Sequence, residues 1–314
     1  MSMRAIGQDS FGGPEVLKIV EVERPEPGPG EVLVRVHATS VNPTDFWHRA
    51  TGGLAGDAGP IRLGWDVSGV VEQVGLGVTL FEPGEEVFGM PLQPRPAGTY
   101  AEYVVSPSRH LVRKPASLSH VQAAALPLVA LTGWQALVDT AHVRPGHRVL
   151  VHAAAGGVGH VTVQIAKALG AHVIGTASGS KHDFVRRLGA DEVIDYTRTD
   201  FASAVGDIDI VVDTIGGEYG PRSLRTLREG GIVVSLASPA EARLSAQARA
   251  LGFRSAFMIV EADQSGMREI AALVDSGRLT PEIHTVLPLD QAAKAHEIGE
   301  AGRTSGKIVL TVAD

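Results

Sequence analysis

The segment Val149-Leu-Val-His-Ala-Ala-Ala-Gly-Gly-Val-Gly159 decides the fold. An apolar strand (148–153) runs into a cluster of small residues. A helical stripe follows at once, with Val158, Val161, Ile165 and Leu169 on one face and Gly170 placed to cap its end. The cluster matches the Gly-x-Gly-x-x-Gly fingerprint at Gly156 and Gly159, with Ala154 where the first glycine is usual. In a strand–turn–helix setting such a turn exposes backbone N–H groups, and the helix N-terminus favours negative charge. Residues Ala155, Gly156, Gly157, Val158 and Gly159 are therefore expected to cradle the pyrophosphate of a dinucleotide. A glycine-rich turn alone would carry little weight. Its place inside a strand–helix–strand unit is what makes the reading specific.

Strands and helices alternate downstream of this turn. Residues 172–176, 192–194, 208–213, 232–236 and 257–260 read as strands, 183–188 as a helix. The pattern implies an α/β fold with a doubly wound parallel sheet. Upstream, Val32, Val34 and Val36 alternate with Leu33, Arg35 and His37, the period of a half-buried strand. Residues 67–74, 86–88 and 100–105 are further strands between Gly/Pro turns, so the first third reads as a β-rich, barrel-like unit. Residues 121–140 read as helical. Beyond 261 the order is helix (267–276), strand (283–287), helix, strand (308–312).

Bulk composition bounds the function. At 314 residues and 44% hydrophobic, the chain is long enough for two domains, each with its own core. A formal net charge of -7 opposes a nucleic-acid partner, which requires clustered Lys/Arg excess. The absence of cysteine removes disulfides, thiolate nucleophiles and Cys-containing zinc sites. The first residues lack a charged-then-apolar leader, and the alanine-rich run 121–138 is interrupted by Pro127 and Gly133. No membrane partner and a cytoplasmic location are expected.

The coenzyme is expected to be NADPH. An NAD site places Asp or Glu about 20 residues beyond the glycine turn. Residues 175–182 hold no acid but offer Ser178 and Lys181, with Arg186 one helical turn on. Each charge-assisted bond to a 2′-phosphate contributes roughly 1.5–3 kcal/mol, enough in pairs to favour NADPH well over tenfold.

With these residues in place, the chain resembles the zinc-free medium-chain dehydrogenases/reductases of the quinone oxidoreductase (zeta-crystallin-like) type. The resemblance spans essentially the whole length, and its pieces stand in family order. They are Val41-Asn-Pro-Thr-Asp45, Gly64-Trp-Asp-Val-Ser-Gly69, Val71-Glu-Gln-Val-Gly75, Pro83-Gly-Glu-Glu-Val-Phe-Gly89, Gly98-Thr-Tyr-Ala-Glu-Tyr-Val104, Ala123-Ala-Ala-Leu-Pro127, Leu131-Thr-Gly-Trp134, the glycine turn, and Gly306-Lys-Ile-Val-Leu310. The resemblance implies a Rossmann doubly wound sheet inserted in a β-rich, GroES-like catalytic domain. Residues 1–121 and 262–314 would form the catalytic domain and 122–261 the NADPH-binding domain, with the active site in the cleft between them.

Zinc relatives carry Cys where Asn42 stands and His where Trp65 stands. The chain's 12 histidines are scattered, so no catalytic zinc site is expected. What remains is hydride transfer from NADPH to a quinone or an α,β-unsaturated carbonyl. By resemblance, Asn42 lies near the nicotinamide and donates to the acceptor oxygen. Trp47 stands where some relatives have Tyr. It either stacks on a quinone and offers its indole N–H, or simply fills space. Asp45 and Asp66 are expected to hold loop backbone.

Thr132 resembles the family threonine that meets the nicotinamide. Tyr196 is placed near the adenine ribose phosphate or on the open surface. Ser235 falls at a strand's carboxyl end, where such sheets bind ligands. Met258 and Val260 are expected to run along the cofactor on a strand that also pairs edge to edge in a homodimer. Arg303 and Lys307 either reach the cofactor or remain solvated surface charges. Two alternatives share this fold. One is an enoyl-thioester reductase, for which Arg49, Arg62 and Arg95 are candidate entrance charges. The other is a non-catalytic NADPH-binding protein.

Overall fold

The computed structural model describes residues 1–53, 63–236 and 242–312, so Arg62 and most of the 50–61 loop lie outside the described residues. The chain divides into two compact units. One comprises Met1–Leu131, Val260–Asp275 and Pro281–Asp314, the other Thr132–Ile259 and Ser276–Thr280.

The first unit begins with a two-stranded antiparallel ribbon, β1 (Ser2–Gly7) and β2 (Lys18–Glu23). Strand β3 (Glu31–Val41) runs directly into helix α1 (Pro43–Thr51). There Pro43 occupies the first helical turn, and the Asp45 carboxylate accepts the Asn42 N–H. Strands β4 (Val67–Val74), β5 (Glu86–Gly89), β6 (Tyr103–Pro107) and β7 (Leu111–Arg113) follow, then helix α2 (His120–Ala124).

Helix α3 (Pro127–Trp134) opens with a proline and ends in a π-helical stretch, Gln135–Thr140. The helical run expected over 121–140 is thus broken in two. Pro127 has no N–H to extend α2, but it suits a helix start.

The second unit alternates as expected. Its elements are β8 (Arg148–Val151), α4 (Gly157–Ala168), β9 (His172–Ala177), α5 (His182–Arg187), β10 (Glu192–Asp195), α6 (Phe201–Ala204), β11 (Ile208–Asp213), α7 (Tyr219–Leu224), β12 (Leu227–Ser235), α8 (Ala242–Ala250) and β13 (Arg254–Phe257). The chain then supplies α9 (Gln264–Asp275), β14 (Ile283–Pro288), α10 (Ala292–Glu300) and β15 (Lys307–Thr311) to the first unit.

The six strands of the second unit are ordered β10-β9-β8-β11-β12-β13, every neighbour parallel. This is the doubly wound order, which reverses between β8 and β11. Covered on both faces, the strands read as continuous apolar runs. Leu150, Ile174, Val211 and Val233 are buried in one core with Phe201, Leu224 and Leu244. The strand expected at 257–260 lies earlier instead. β13 pairs with β12 from Ile232↔Arg254 to Ser235↔Phe257, so its ladder stops where β12 stops. Met258 and Val260 follow the strand rather than lie in it.

In the first unit seven strands form one sheet, ordered β14-β15-β3-β4-β5-β7, with β6 also on β3. Val32, Val34 and Val36 share a core with Val67, Val71, Val87, Val104 and Leu111. Leu33, on the opposite side of the alternation, is buried as well, so β3 is covered on both faces there.

Candidate active site

The turn after β8 is built from close approaches. A Cβ on Gly159 would lie 2.2 Å from the Ala153 carbonyl oxygen and 2.7 Å from the Ala154 Cα. Both atoms are backbone, so α4 can start this close to the turn only with glycine there. Ala154 shows how the missing first glycine is tolerated. Its methyl faces Gly175 on β9, where an added Cβ would come within 2.8 Å of the Ala154 Cβ. The glycine has moved to the neighbouring strand. Ala153 takes the left-handed backbone conformation, φ 47°. Gly156 is extended, at φ -78° and ψ -177°, and caps α4. The N–H groups of Gly157, Val158 and Gly159 are in the first turn of this 12-residue helix, where no intrahelical acceptor exists. The geometry fits a dinucleotide pyrophosphate.

Around this turn, the carboxyl ends of β9, β10 and β12 carry Ser178, Lys181, Tyr196 and Ser235. Ser178 starts the turn after β9, which ends at Lys181, and the two are joined by a Lys181 N–H bond to the Ser178 carbonyl at 2.9 Å. Burial lowers the Lys181 ammonium pKa. Tyr196 follows β10 and is 47% exposed. Ser235 closes β12 and is fully buried, with its hydroxyl oxygen unpartnered. Its register partner on β11 is Asp213. One Asp213 oxygen accepts the N–H groups of Ile215 and Gly216 at 2.9 Å, while the other is buried without a partner. Burial pushes this carboxyl up from its ordinary range. Thr132 is buried in α3, and the Met258 sulfur accepts from the Thr140 hydroxyl.

One residue near this site was not foreseen. The Asp195 carboxylate, from the end of β10, lies against Gly179, whose added Cβ would come within 2.8 Å of it. The segment 175–182 itself has no acid, but the sheet order brings one from 16 residues after Gly179. Linear spacing alone could not have revealed it.

The first unit carries a buried polar network between β3, α1 and β15. Asn42 donates from Nδ2 to Asp66 at 2.7 Å and accepts at Oδ1 from the Lys307 ammonium. Lys307 also donates to the Val41 carbonyl at 2.7 Å. Asp66 accepts from the Ser40 hydroxyl and, at 2.7 Å, from the Leu128 N–H. Asp45 accepts the Asn42 N–H at 2.7 Å and the Gly64 N–H at 2.8 Å. Both aspartates hold loop backbone. Burial pushes the Asp45 carboxyl up to about 7; the two N–H bonds and Lys307 oppose the shift, and Asp66 adds to it. Burial also lowers the Lys307 ammonium pKa, against the pull of Asp66 and Asp45.

Two of the expected site residues lie inside this network. Lys307 is 3% exposed and donates to the Val41 carbonyl and the Asn42 amide oxygen, so it is not a solvated surface charge. Asn42 has no exposed surface, and both ends of its amide are committed internally, against the expected donation to an acceptor oxygen. Trp47 is the contrary case. It is 46% exposed on α1, its ring edge-on to His48, and so is not a space-filling core residue.

Arg49, considered as an entrance charge, is buried. It is bonded to the Gly12 carbonyl, His296 and Glu300. Arg95 is exposed, and its carbonyl accepts the Trp65 indole N–H at 2.8 Å. Among the described residues no group of three His, Asp or Glu could hold a metal ion. None of the described helices is long and apolar enough to cross a membrane.

Residues 28–116 match the alcohol dehydrogenase GroES-like domain, and residues 188–310 match a family described as zinc-binding dehydrogenase. The quinone oxidoreductase of Mus musculus is 34% identical over 98% of this chain and 97% of its own length. The mitochondrial NAD(P)H oxidoreductase RTN4IP1 of the same species is also 34% identical, over 90% of this chain and 82% of its own. The crystal structure of the Coxiella burnetii quinone oxidoreductase is 37% identical, covers 99% of this chain and all of its own, and superposes with a TM-score of 0.94.

Proposed function

The chain belongs to the quinone oxidoreductase family of medium-chain dehydrogenases/reductases, and from that membership we propose that it reduces quinones or α,β-unsaturated carbonyls with NADPH, without a metal. It is a pyridine-nucleotide oxidoreductase; the acceptor, the coenzyme preference and the independence from zinc are this proposal. The observation that carries it is the turn after β8, closed so tightly at Gly159 that only a bare Cα fits, with first-turn N–H groups of α4 left for an anion.

When bound, the nicotinamide supplies a hydride to the acceptor carbon, and a proton completes the reduction. The residues of this chain bind and orient. Gly157, Val158 and Gly159 offer N–H groups to the pyrophosphate. Ser178 and Lys181 offer a hydroxyl and an ammonium to a 2′-phosphate. Ser235, with its buried unpartnered hydroxyl, and Thr132 fit the nicotinamide side. The exposed face of Trp47 suits a flat acceptor, and its indole N–H can donate to the acceptor oxygen. The buried Asn42–Lys307–Asp66 network holds the start of α1, the helix on which Trp47 stands.

A metal-free reaction is supported by the residues at the zinc relatives' ligand positions. Asn42 is an amide tied to Asp66 and Lys307, and Trp65 is a buried indole. Edge-to-edge pairing in a homodimer is supported by β13, one of the two edge strands of the six-stranded sheet. The cytoplasmic location expected from the sequence is carried into this reading.

One observation favours NADH instead. The Asp195 carboxylate beside Gly179 opposes a 2′-phosphate. Lys181→Ala separates the two. If Lys181 holds the phosphate, the variant raises KM for NADPH by about tenfold or more while KM for NADH changes little. Equal effects on both coenzymes would remove Lys181 from the site and leave the NADH reading standing.

A further inference from the structure

Beneath the glycine turn runs a polar chain that the proposed reaction does not use. His152, the first residue past β8, is fully buried. Its Nδ1 lies 3.2 Å from the Thr176 hydroxyl at the end of β9, and its Nε2 lies 2.9 Å from the Ser223 hydroxyl on α7. The direction of these bonds follows from counting protons. Ser223 gives its single hydroxyl proton to the Tyr219 carbonyl at 2.7 Å, so it can only accept from His152. The His152 proton is therefore on Nε2. Nδ1 is then an acceptor and takes the Thr176 proton. The Thr176 oxygen in turn accepts the Ala153 N–H at 3.2 Å.

The result is one oriented chain, from the Ala153 N–H through Thr176, His152 and Ser223 to the Tyr219 carbonyl. The imidazole stays neutral, because burial, aided by the Arg222 charge, pushes it down to about 3. Phe201 and Tyr219 meet its ring edge-on at 4.5 and 5.0 Å and fix its plane.

The chain ends on Ala153, a non-glycine residue in the left-handed backbone region. A side-chain-bearing residue at φ 47° persists only where its surroundings hold it. Here the bonds cluster around it. The His152 carbonyl accepts from Thr214, the Ala154 N–H donates to the Thr176 carbonyl at 3.0 Å, and the Gly156 N–H donates to the Ala153 carbonyl at 2.8 Å. The left-handed step at Ala153 is what turns the backbone from β8 toward the start of α4.

We propose that Thr176 and His152 are positioning residues for the coenzyme, which hold Ala153 left-handed so that the N–H groups of the α4 first turn point at the pyrophosphate. This rests on the dinucleotide reading of the turn. A purely structural role would cost stability without changing coenzyme affinity.

The test is NADPH affinity by fluorescence titration, with steady-state kinetics and melting temperature, for wild type, Thr176→Val, Thr176→Ser and Ser223→Ala. Thr176→Val keeps the shape and removes the hydroxyl. It is expected to raise the NADPH Kd and KM about tenfold with a much smaller fall in kcat, while Thr176→Ser restores Kd to within about twofold. If Thr176→Val does not fold, Ser223→Ala, which orphans only the far end of the chain, is expected to raise Kd about threefold. A wild-type Kd in Thr176→Val, or in Ser223→Ala where the first variant is lost, overturns the proposal even if the melting temperature falls. A wild-type protein that binds neither NADPH nor NADH would instead overturn the dinucleotide reading itself.

Discussion

Gly159→Ala is expected to abolish tight coenzyme binding. The added methyl would sit 2.2 Å from the Ala153 carbonyl oxygen and 2.7 Å from the Ala154 Cα. No side chain can rotate away, because both contacts are backbone. The first turn of α4 must therefore move off the strand end, and overpacking of this kind costs about 1–3 kcal/mol of stability. The same movement swings the first-turn N–H groups away from the pyrophosphate. A displacement of about 1 Å at such a site is enough for roughly a hundredfold loss. Coenzyme titration of the purified variant, with a melting curve to confirm folding, measures both effects. A folded variant with wild-type affinity would mean that the pyrophosphate does not sit on this turn.

Lys307→Met is expected to have the largest effect on stability. The ammonium is buried, and it bonds the Val41 carbonyl and the Asn42 amide oxygen. Asp66 and Asp45 face it closely enough to favour its charged form. Methionine fills similar space, so the change leaves little cavity. It leaves the Asn42 amide oxygen without its donor, takes one bond from the Val41 carbonyl, and leaves two buried carboxyls without their cation. Breaking a buried ionic arrangement by removing one partner costs about 3–5 kcal/mol. Urea denaturation at neutral pH measures this, and a cost below about 1 kcal/mol would show that the network does not depend on the charge. The two variants separate the units: Gly159→Ala acts mainly on coenzyme binding, Lys307→Met on the fold of the first unit.

The two expectations were legible in the sequence to different degrees, and the reason is range. The glycine turn is local. Strand, turn and helix stop all lie within 149–170, and the structure places α4 and its cap as the spacing implies. Strands β4 and β11 match residue for residue for the same reason. The Lys307–Asn42 bond joins residues 265 apart in sequence. No spacing rule reaches that far, and a lysine near the end of the chain is by default exposed. Asp195 beside Gly179 is likewise beyond any spacing rule, since it depends on β10 lying next to β9. The displaced β13 has a related cause. Residues 257–260 are apolar enough for a strand, but the ladder is limited by where β12 ends, a property of its partner. In the sequence Ala154 stands as a missing glycine. Its compensation by Gly175 becomes visible only once the two strands are set side by side.

The most direct test of the central claim is NADPH oxidation by enzyme stripped of metal and kept in chelator, with a benzoquinone, a linear enone and an enoyl-CoA as acceptors in parallel. The account predicts turnover of the quinone or the enone that prefers NADPH over NADH and is unchanged when zinc is added back. Turnover that requires zinc, or tight NADPH binding with no oxidation by any of the three, would contradict it.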